Sequence, residues 1–258
     1  MRVATFNIND IRKRFDNLLA WLAETEPDVV CLQELKAEQG LFPAQALAQL
    51  GYDAVWRAER TWNGVAILVR DAQPVQTRAS LPGDVADAQA RYIEAAVQGL
   101  LVCALYAPNG NPAPGPKFDY KLAWLERLIG HAQGLIEAGA PAILVGDFNV
   151  VPTAADIYPT RSYDADAVVA PEARACFQAL LDQGWTDGLR TLKPDGPLWT
   201  YWSYKRARWE ADKGIRLDHL LVSPALAQRL RAGGVDRWVR GEANASDHAP
   251  AWIELDWP

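Results

Sequence analysis

The stretch Pro27-Asp28-Val29-Val30-Cys31-Leu32-Gln33-Glu34 decides how this chain is read. From Asp28 to Leu32 it is short, apolar and rich in β-branched residues, the mark of a strand with both faces covered. Glu34 comes directly off its end. The same kind of run recurs on either side, predicting strands at Arg2 to Asn7, Gly64 to Val69, Arg91 to Val97, Leu101 to Tyr106, Ala142 to Val145, Leu217 to Val222 and Pro250 to Leu255. Helical periodicity is clear at Phe15, Leu18, Leu19 and Leu22, at Leu122, Leu125, Leu128 and Ile129, and around Phe177, Leu180 and Leu181. Many strands with few helices predict a β-rich, layered α/β sandwich.

Half of the 258 residues are hydrophobic and 22% are charged, enough apolar material for a core and no signature of disorder. A single domain over 1–258 is expected. The Pro/Gly stretch from Pro108 to Pro116 lies between a strand and a helix and reads as a surface loop rather than a linker. Met1-Arg2 leads straight into the first strand with no secretory signal, and no apolar run is long enough to span a membrane. Cys31, Cys103 and Cys176 are odd in number and sit in apolar surroundings, which suits reduced thiols and a cytoplasmic protein. The net charge of -6 argues against a nucleic-acid partner. Its distribution argues the other way: between Trp199 and Arg240, Lys205, Arg206, Arg208, Lys213, Arg216, Arg229, Arg231, Arg237 and Arg240 face only Glu210, Asp212, Asp218 and Asp236.

Polar residues cluster where the apolar runs end. Asn7 and Asn9 follow the first, Gln33 and Glu34 the second, and Asp147 and Asn149 follow Ile143 to Gly146. Asp218 interrupts Ile215 to Val222, and Asp247-His248 precedes the last strand. Ligands of α/β sheets bind at strand ends, so these positions suggest one shared site. Glu34 alone reads more readily as a solvated strand-end residue, since most charged side chains face water; as a ligand, its oxygens suit Mg²⁺ or Mn²⁺. On an extended backbone Asp147 and Asn149 share a face while Phe148 points inward, and Gly146 admits a close neighbour, although Gly-Asp-Phe-Asn is also a plausible turn. His248 beside Asp247, with Asp218 from another strand, has the makings of a proton relay or a structural hydrogen bond. His219 alternates away from Asp218 and reads as structural. With three histidines, none at HExxH spacing, and no CxxC pair, a zinc site has little material, and neither a phosphate-binding glycine loop nor a GxSxG elbow is present.

Taken together, these residues resemble exonuclease III and its relatives within the endonuclease/exonuclease/phosphatase superfamily. The resemblance runs through Thr5-Phe6-Asn7-Ile8-Asn9, Pro27 to Glu34, Asn63-Gly64-Val65-Ala66-Ile67-Leu68, Tyr106-Ala107-Pro108-Asn109-Gly110, Gly146-Asp147-Phe148-Asn149, Gly214-Ile215-Arg216-Leu217-Asp218 and Ser246-Asp247-His248-Ala249-Pro250. It implies a four-layered α/β sandwich with two packed mixed sheets flanked by helices. It also implies a magnesium-dependent catalytic domain acting on duplex DNA, as incision 5′ to abasic sites and 3′-to-5′ trimming of ends. Carried over residue by residue, Glu34 is the main metal ligand with Asn7 and Asn9 or Asp247, and a two-metal arrangement adds Asp147 and Asn149. Asp147, Asn149, Tyr106, Asp218 and His248 are the expected catalytic group. Substrate contacts are expected from Asn109, Asn63, Tyr201, Trp202, Ile215 and Arg216, with aromatics between Trp199 and Tyr204 walling a pocket for a sugar without its base. A monomer is expected. Asp10-Ile11 and Arg60-Thr61-Trp62 depart from the usual Gly-Leu and Tyr of relatives, which bears on fine substrate preference. A general nuclease, or a phospholipid or inositol-phosphate phosphatase, is the rival on the same scaffold. A catalytically dead DNA-binding relative is disfavoured, because every expected polar residue is present.

Overall fold

The computed structural model describes residues 1–257. Its strands in chain order are β1 (Arg2–Asn7), β2 (Val29–Gln33), β3 (Tyr52–Arg57), β4 (Val65–Arg70), β5 (Val75–Arg78), β6 (Tyr92–Val97), β7 (Leu100–Tyr106), β8 (Ala142–Asp147), β9 (Thr186–Asp187), β10 (Asp218–Val222), β11 (Leu230–Val235) and β12 (Ala251–Leu255). The helices are α1 (Phe15–Thr25), α2 (Ala44–Ala48), α3 (Pro116–Glu137), α4 (Pro171–Asp182), α5 (Gly188–Leu192) and α6 (Pro224–Ala227). Two six-stranded sheets form, ordered β11-β12-β1-β2-β4-β3 and β5-β6-β7-β8-β10-β9. Every strand expected from the sequence is present; the four that were not expected, β3, β5, β9 and β11, are the four sheet edges.

Each sheet has one parallel pair at its centre and antiparallel neighbours around it. In the first, β1 runs parallel to β2 with Asn7 opposite Gln33, and α1 makes the crossover. In the second, β7 runs parallel to β8 with Tyr106 opposite Asp147, and α3 makes the crossover. A parallel connection needs such a crossover, because a tight turn can only reverse the chain.

Alternation along β1 shows how four layers arise. Val3 joins Val29, Cys31, Ile67, Val102, Ile143 and Val145 between the sheets, while Ala4 and Phe6 face outward against Leu18, Trp21 and Leu22 of α1. On the far side, Trp124, Leu125 and Leu128 of α3 and Phe177 and Leu180 of α4 cover Cys103, Leu105, Leu144 and Phe148. Both faces of β1, β2, β7 and β8 are therefore almost wholly covered, which is why their sequences are close to continuously apolar. Local signals set the helix ends: α1 closes on Glu26 in a left-handed conformation, its N–H on Leu22 O, with Pro27 beyond, and α3 starts at Pro116, which has no N–H to leave unpaired.

His219 is structural, as expected. It is fully buried on β10, its Nε2 bonds Val150 O at 3.0 Å, and its ring packs on Phe148 and Phe177. Burial, with the Arg216 charge, pushes its pKa from 6.5 down to about 4. Above pH 6.5 the ring is neutral folded and unfolded. As pH falls toward 4 the unfolded chain binds a proton that the folded chain refuses, so stability drops by up to roughly 3 kcal/mol. His219→Gln is expected to flatten that part of the stability curve; equal losses between pH 7 and pH 4.5 in denaturant titrations of both proteins would contradict it.

Candidate active site

Both parallel pairs end at the same edge of the sandwich, and there the two sheets are tied by one side chain. Asn7 Nδ2 donates to Glu34 Oε1 at 2.9 Å and to Asp147 Oδ2 at 3.0 Å, linking residues 140 positions apart. Around it lies a cavity of about 390 Å³ lined by Asn9, Glu34, Lys36, Tyr106, Asn109, Asp147, Asn149, Tyr201, Ile215, Asp247 and His248, among others. A larger groove of about 620 Å³, between α1 and Trp238 to Asn244, contains none of these residues.

Glu34 is fixed from several sides. Tyr106 OH donates to Oε1 at 2.9 Å, and Lys36 Nζ pairs with Oε2 at 2.7 Å while reaching Asn9 Oδ1, also at 2.7 Å. Asn9 Nδ2 continues the chain to Asp247 Oδ1 at 2.8 Å. Burial opposes the Glu34 charge, but the Lys36 ammonium and the Asn7 amide outweigh it and hold the carboxyl below its usual range. The backbone is bent to make this set. Glu34 and Lys36 are left-handed, with φ of 54° and 49°, and so are Asn9 at 48° and Asp10 at 84°. Such conformations cost about 1 kcal/mol or more in a residue with a Cβ and persist where the surroundings over-determine them.

Opposite Glu34 stands a carboxylate–imidazole–carboxylate row. His248 Nδ1 bonds Asp218 Oδ2 at 2.8 Å and its Nε2 faces Asp147 Oδ2 at 3.9 Å. These three are the one group of His, Cys, Asp or Glu among the described residues with ligand atoms all within 4.8 Å of one another, and all three are buried. Burial and the neighbouring Asp218 charge raise the Asp147 carboxyl far above its ordinary value. Burial alone would discharge His248, but Asp218 overcomes it and holds the ring protonated well above its normal range. Ser246 Oγ secures this segment by donating to Asn7 O at 2.7 Å and receiving the His248 N–H.

Asp147 and Asn149 do reach one cavity, but for a different reason than an extended backbone. Asn149 is left-handed, φ 51°, and its N–H turns back onto Asp147 Oδ1 at 2.8 Å, so a tight turn brings the two side chains together while Phe148 is buried. Asn149 is then held by Asn109 Nδ2 at 3.1 Å and by Ala107 O at 2.9 Å. The close neighbour at Gly146 is the β7 backbone: a Cβ there would lie 1.9 Å from Leu105 O.

Three of the expected substrate contacts lie elsewhere. Trp202 is fully buried, its Nε1 directed at Asp212 and its ring edge-on to Trp209, so it takes no part in the cavity wall; that wall is Tyr201, Ile215, Leu217, Tyr163 and Val168. Arg216 is buried and bonded to Asp156 at 2.8 Å and Asp187 at 2.7 Å, with Arg190 also on Asp156. Asn63 turns to Glu59 and lines a neighbouring pocket beside Arg91 and Lys117. The basic stretch from Trp199 to Arg240 is also divided. Lys205 and Arg206 are exposed, a few residues along the chain from the cavity-lining Tyr201, whereas Arg229 and Arg231 lie at the other end of β12, on Trp257 and Asp256.

Sequence reading missed Lys36 and Lys121, and marked Trp62 only as a departure bearing on fine substrate preference. Lys36 had a signal in its position two residues after Glu34. Trp62, 73% exposed at the cavity lip with Lys36 5.5 Å from its ring, stands where the usual Tyr is replaced. Lys121 sits in an amphipathic helix, where a lysine ordinarily faces water.

The fold and site define a phosphoesterase-type hydrolase: the chain belongs to the endonuclease/exonuclease/phosphatase family, whose model matches residues 4–248. Among curated proteins it is similar to exodeoxyribonuclease III of Haemophilus influenzae, 32% identical and aligned over 99% of this chain and 100% of the relative. Among solved structures it is similar to the 3′ phosphatase NExo from Neisseria bound to a product DNA hairpin, with a TM-score of 0.95, 37% identity and full coverage of both chains. It is likewise similar to an AP endonuclease from Archaeoglobus fulgidus, with a TM-score of 0.94, 32% identity and 99% of both chains covered.

Proposed function

We propose that this protein is a metal-dependent DNA-repair nuclease that incises duplex DNA 5′ to abasic sites and trims 3′ ends, acting as a single monomeric domain in the cytoplasm. The observation that carries the reading is the Asn7 bridge, which brings the Glu34 carboxylate and the His248-backed Asp147 to one cavity. The relatives named above are nucleases and a phosphatase, and all three names specify DNA or abasic-site chemistry. No helix among the described residues is long and apolar enough to cross a membrane.

The donor set fits a hard divalent ion. Glu34 and Asp147 present carboxylate oxygens to the same Asn7 side chain, and no sulfur is at hand, which suits Mg²⁺ with Mn²⁺ as substitute. Glu34 and Asn7 would hold it, with Asp247 reaching in through Asn9 and Asp147 and Asn149 available to a second ion. Bound there, the ion neutralises phosphoryl charge and stabilises the departing oxygen. The chain's own residues do the rest. Asp147, kept basic by burial and by Asp218, accepts the proton of the attacking water. His248, kept protonated by Asp218, sets a positive charge against the phosphate, and Asn149, Asn109 and Tyr106 bind the phosphoryl oxygens from fixed positions.

The apolar wall of Tyr201, Ile215 and Leu217 supports selection of a sugar without its base, because an abasic nucleotide leaves the helix without loss of stacking or pairing. Affinity is assigned to exposed Arg12, Lys13, Lys205 and Arg206, in two loops joined by the Arg14 to Tyr204 hydrogen bond. A labelled duplex with one abasic analogue, an undamaged duplex and one with a recessed 3′ end should be compared with Mg²⁺ and with excess chelator. Preferential incision of the damaged duplex, abolished by chelator and weakened steeply by salt, is the expected result. Equal cleavage of damaged and undamaged DNA would indicate a general nuclease, and cleavage in chelator would end the metal-dependent reading.

A further inference from the structure

Lys121 is fully buried in α3, and its ammonium meets three backbone carbonyls, those of Asn149 at 2.6 Å, Asn109 at 3.1 Å and Ala167 at 3.3 Å. None of these partners is a carboxylate. An ammonium enclosed without an opposite charge in contact is costly, since dipoles replace only part of its hydration. The three N–H donors of the ammonium answer the three carbonyls, which no neutral side chain could do alone, but they leave its charge without a counter-ion. A reason for charge is therefore to be sought in the site.

Two of the three carbonyls belong to Asn109 and Asn149, whose side chains line the cavity and bond each other at 3.1 Å. The ammonium thus lies directly behind the pair. The Tyr106 to Gly110 loop is shaped around it: Gly110 is left-handed, φ 89°, and a Cβ there would lie 2.6 Å from Lys121 Cδ. The third carbonyl belongs to the segment that carries Asp166, which receives Asn111 Nδ2 at 2.8 Å and so returns to the same loop. A buried cation behind the cavity wall acts more strongly on a charge that enters in front of it than a solvated one would, because less water screens it.

We infer that Lys121 is a positioning residue that fixes Asn109 and Asn149 and supplies a buried positive charge which the phosphate of the bound strand completes. This rests on the phosphodiesterase reading above. Lys121 touches neither water nor the reacting atoms; it acts through the two asparagines and through its field, which matters most as charge redistributes on the phosphoryl group.

The test compares wild type, Lys121→Met and Lys121→Arg in thermal melting and in steady-state incision of the abasic duplex with Mg²⁺. Lys121→Met keeps the length and removes the charge. At temperatures where it is folded, its kcat is expected to fall about 10- to 100-fold with KM changed less than about threefold, and Lys121→Arg to recover most of that loss. A folded Lys121→Met with wild-type kcat would overturn the proposal. So would an equal loss in both folded variants, or failure of both to fold, since either outcome makes the lysine a structural tie alone. Wild-type protein inactive on every DNA substrate would instead refute the nuclease reading itself.

Discussion

Asp147→Asn is expected to lower turnover about 10²- to 10⁴-fold while affinity for the abasic duplex stays within a few-fold. The substitution keeps size and the ability of Oδ1 to accept the Asn149 N–H, so the turn survives. What it removes is the proton acceptor. Because burial and the Asp218 charge raise the Asp147 carboxyl, the acid limb of the wild-type rate profile should lie above the usual carboxylate range: activity falls as pH drops through that raised value and the base becomes protonated. In Asp147→Asn the residual rate should lack this limb. Stopped turnover with intact binding, measured by gel shift on a non-cleavable duplex, supports the assignment. A raised KM with unchanged kcat would move Asp147 from proton transfer to substrate binding, and an unaltered acid limb in the variant would give the titration to another group.

Arg216→Met is expected to cost about 3–5 kcal/mol of stability with little change in turnover per folded molecule. The guanidinium is enclosed between Asp156 and Asp187, and Arg190 meets Asp156 on its other side, so one side chain joins the start of β10 to the loop after β8 and to β9. Removing it leaves two carboxylates short of their partner in a dry setting, the costly way to break a buried ion pair. The depressed Asp156 carboxyl, about 2, records how firmly its ionised form is held: burial opposes the charge and the Arg216 charge and hydrogen bond reverse that. In Arg216→Met this carboxyl should rise toward its unfolded value or above it, so the stability that the wild type loses as pH falls toward 2 is already absent and the variant should depend less on acid. Denaturant midpoints and single-turnover rates separate the outcomes. Unchanged stability with lost incision would return Arg216 to the substrate, where its place in the Gly214 to Asp218 motif suggests it.

The edge strands show what limits a reading from sequence. Seven of the eight inner strands are buried almost throughout and β12 alternates between buried and half-buried residues, so burial leaves a largely apolar imprint on them. At the rims that imprint fades. Val75-Gln76-Thr77-Arg78 is exposed throughout, Tyr52 to Arg57 is only partly covered, and Leu230 to Val235 contains adjacent glycines with a register shift. Such segments become strands because a neighbour offers hydrogen-bonding groups, and no local pattern announces that.

For the site, the sequence by itself determined which polar residues flank the inner strands, because carboxylates, amides and imidazole beside or within an apolar run stand out against it. Glu34, Asp147, Asn149, Asp218 and His248 were legible on that ground. Tertiary structure alone decided their company. That Asn7 joins Glu34 to Asp147 depends on how two sheets pack, and that Asn149 faces the cavity depends on a left-handed residue rather than an extended one. Trp202 and Arg216 belong to two separate segments whose neighbours Tyr201, Ile215 and Leu217 line the cavity, yet both face the interior, where Asp212, Asp156 and Asp187 await them. Lys121 looks like one more solvated lysine of an amphipathic helix until three loops close over it. Periodicity and strand ends are recorded within a few residues of chain, whereas partners tens of residues away are set by packing, so composition and spacing name the groups and the fold assigns their contacts.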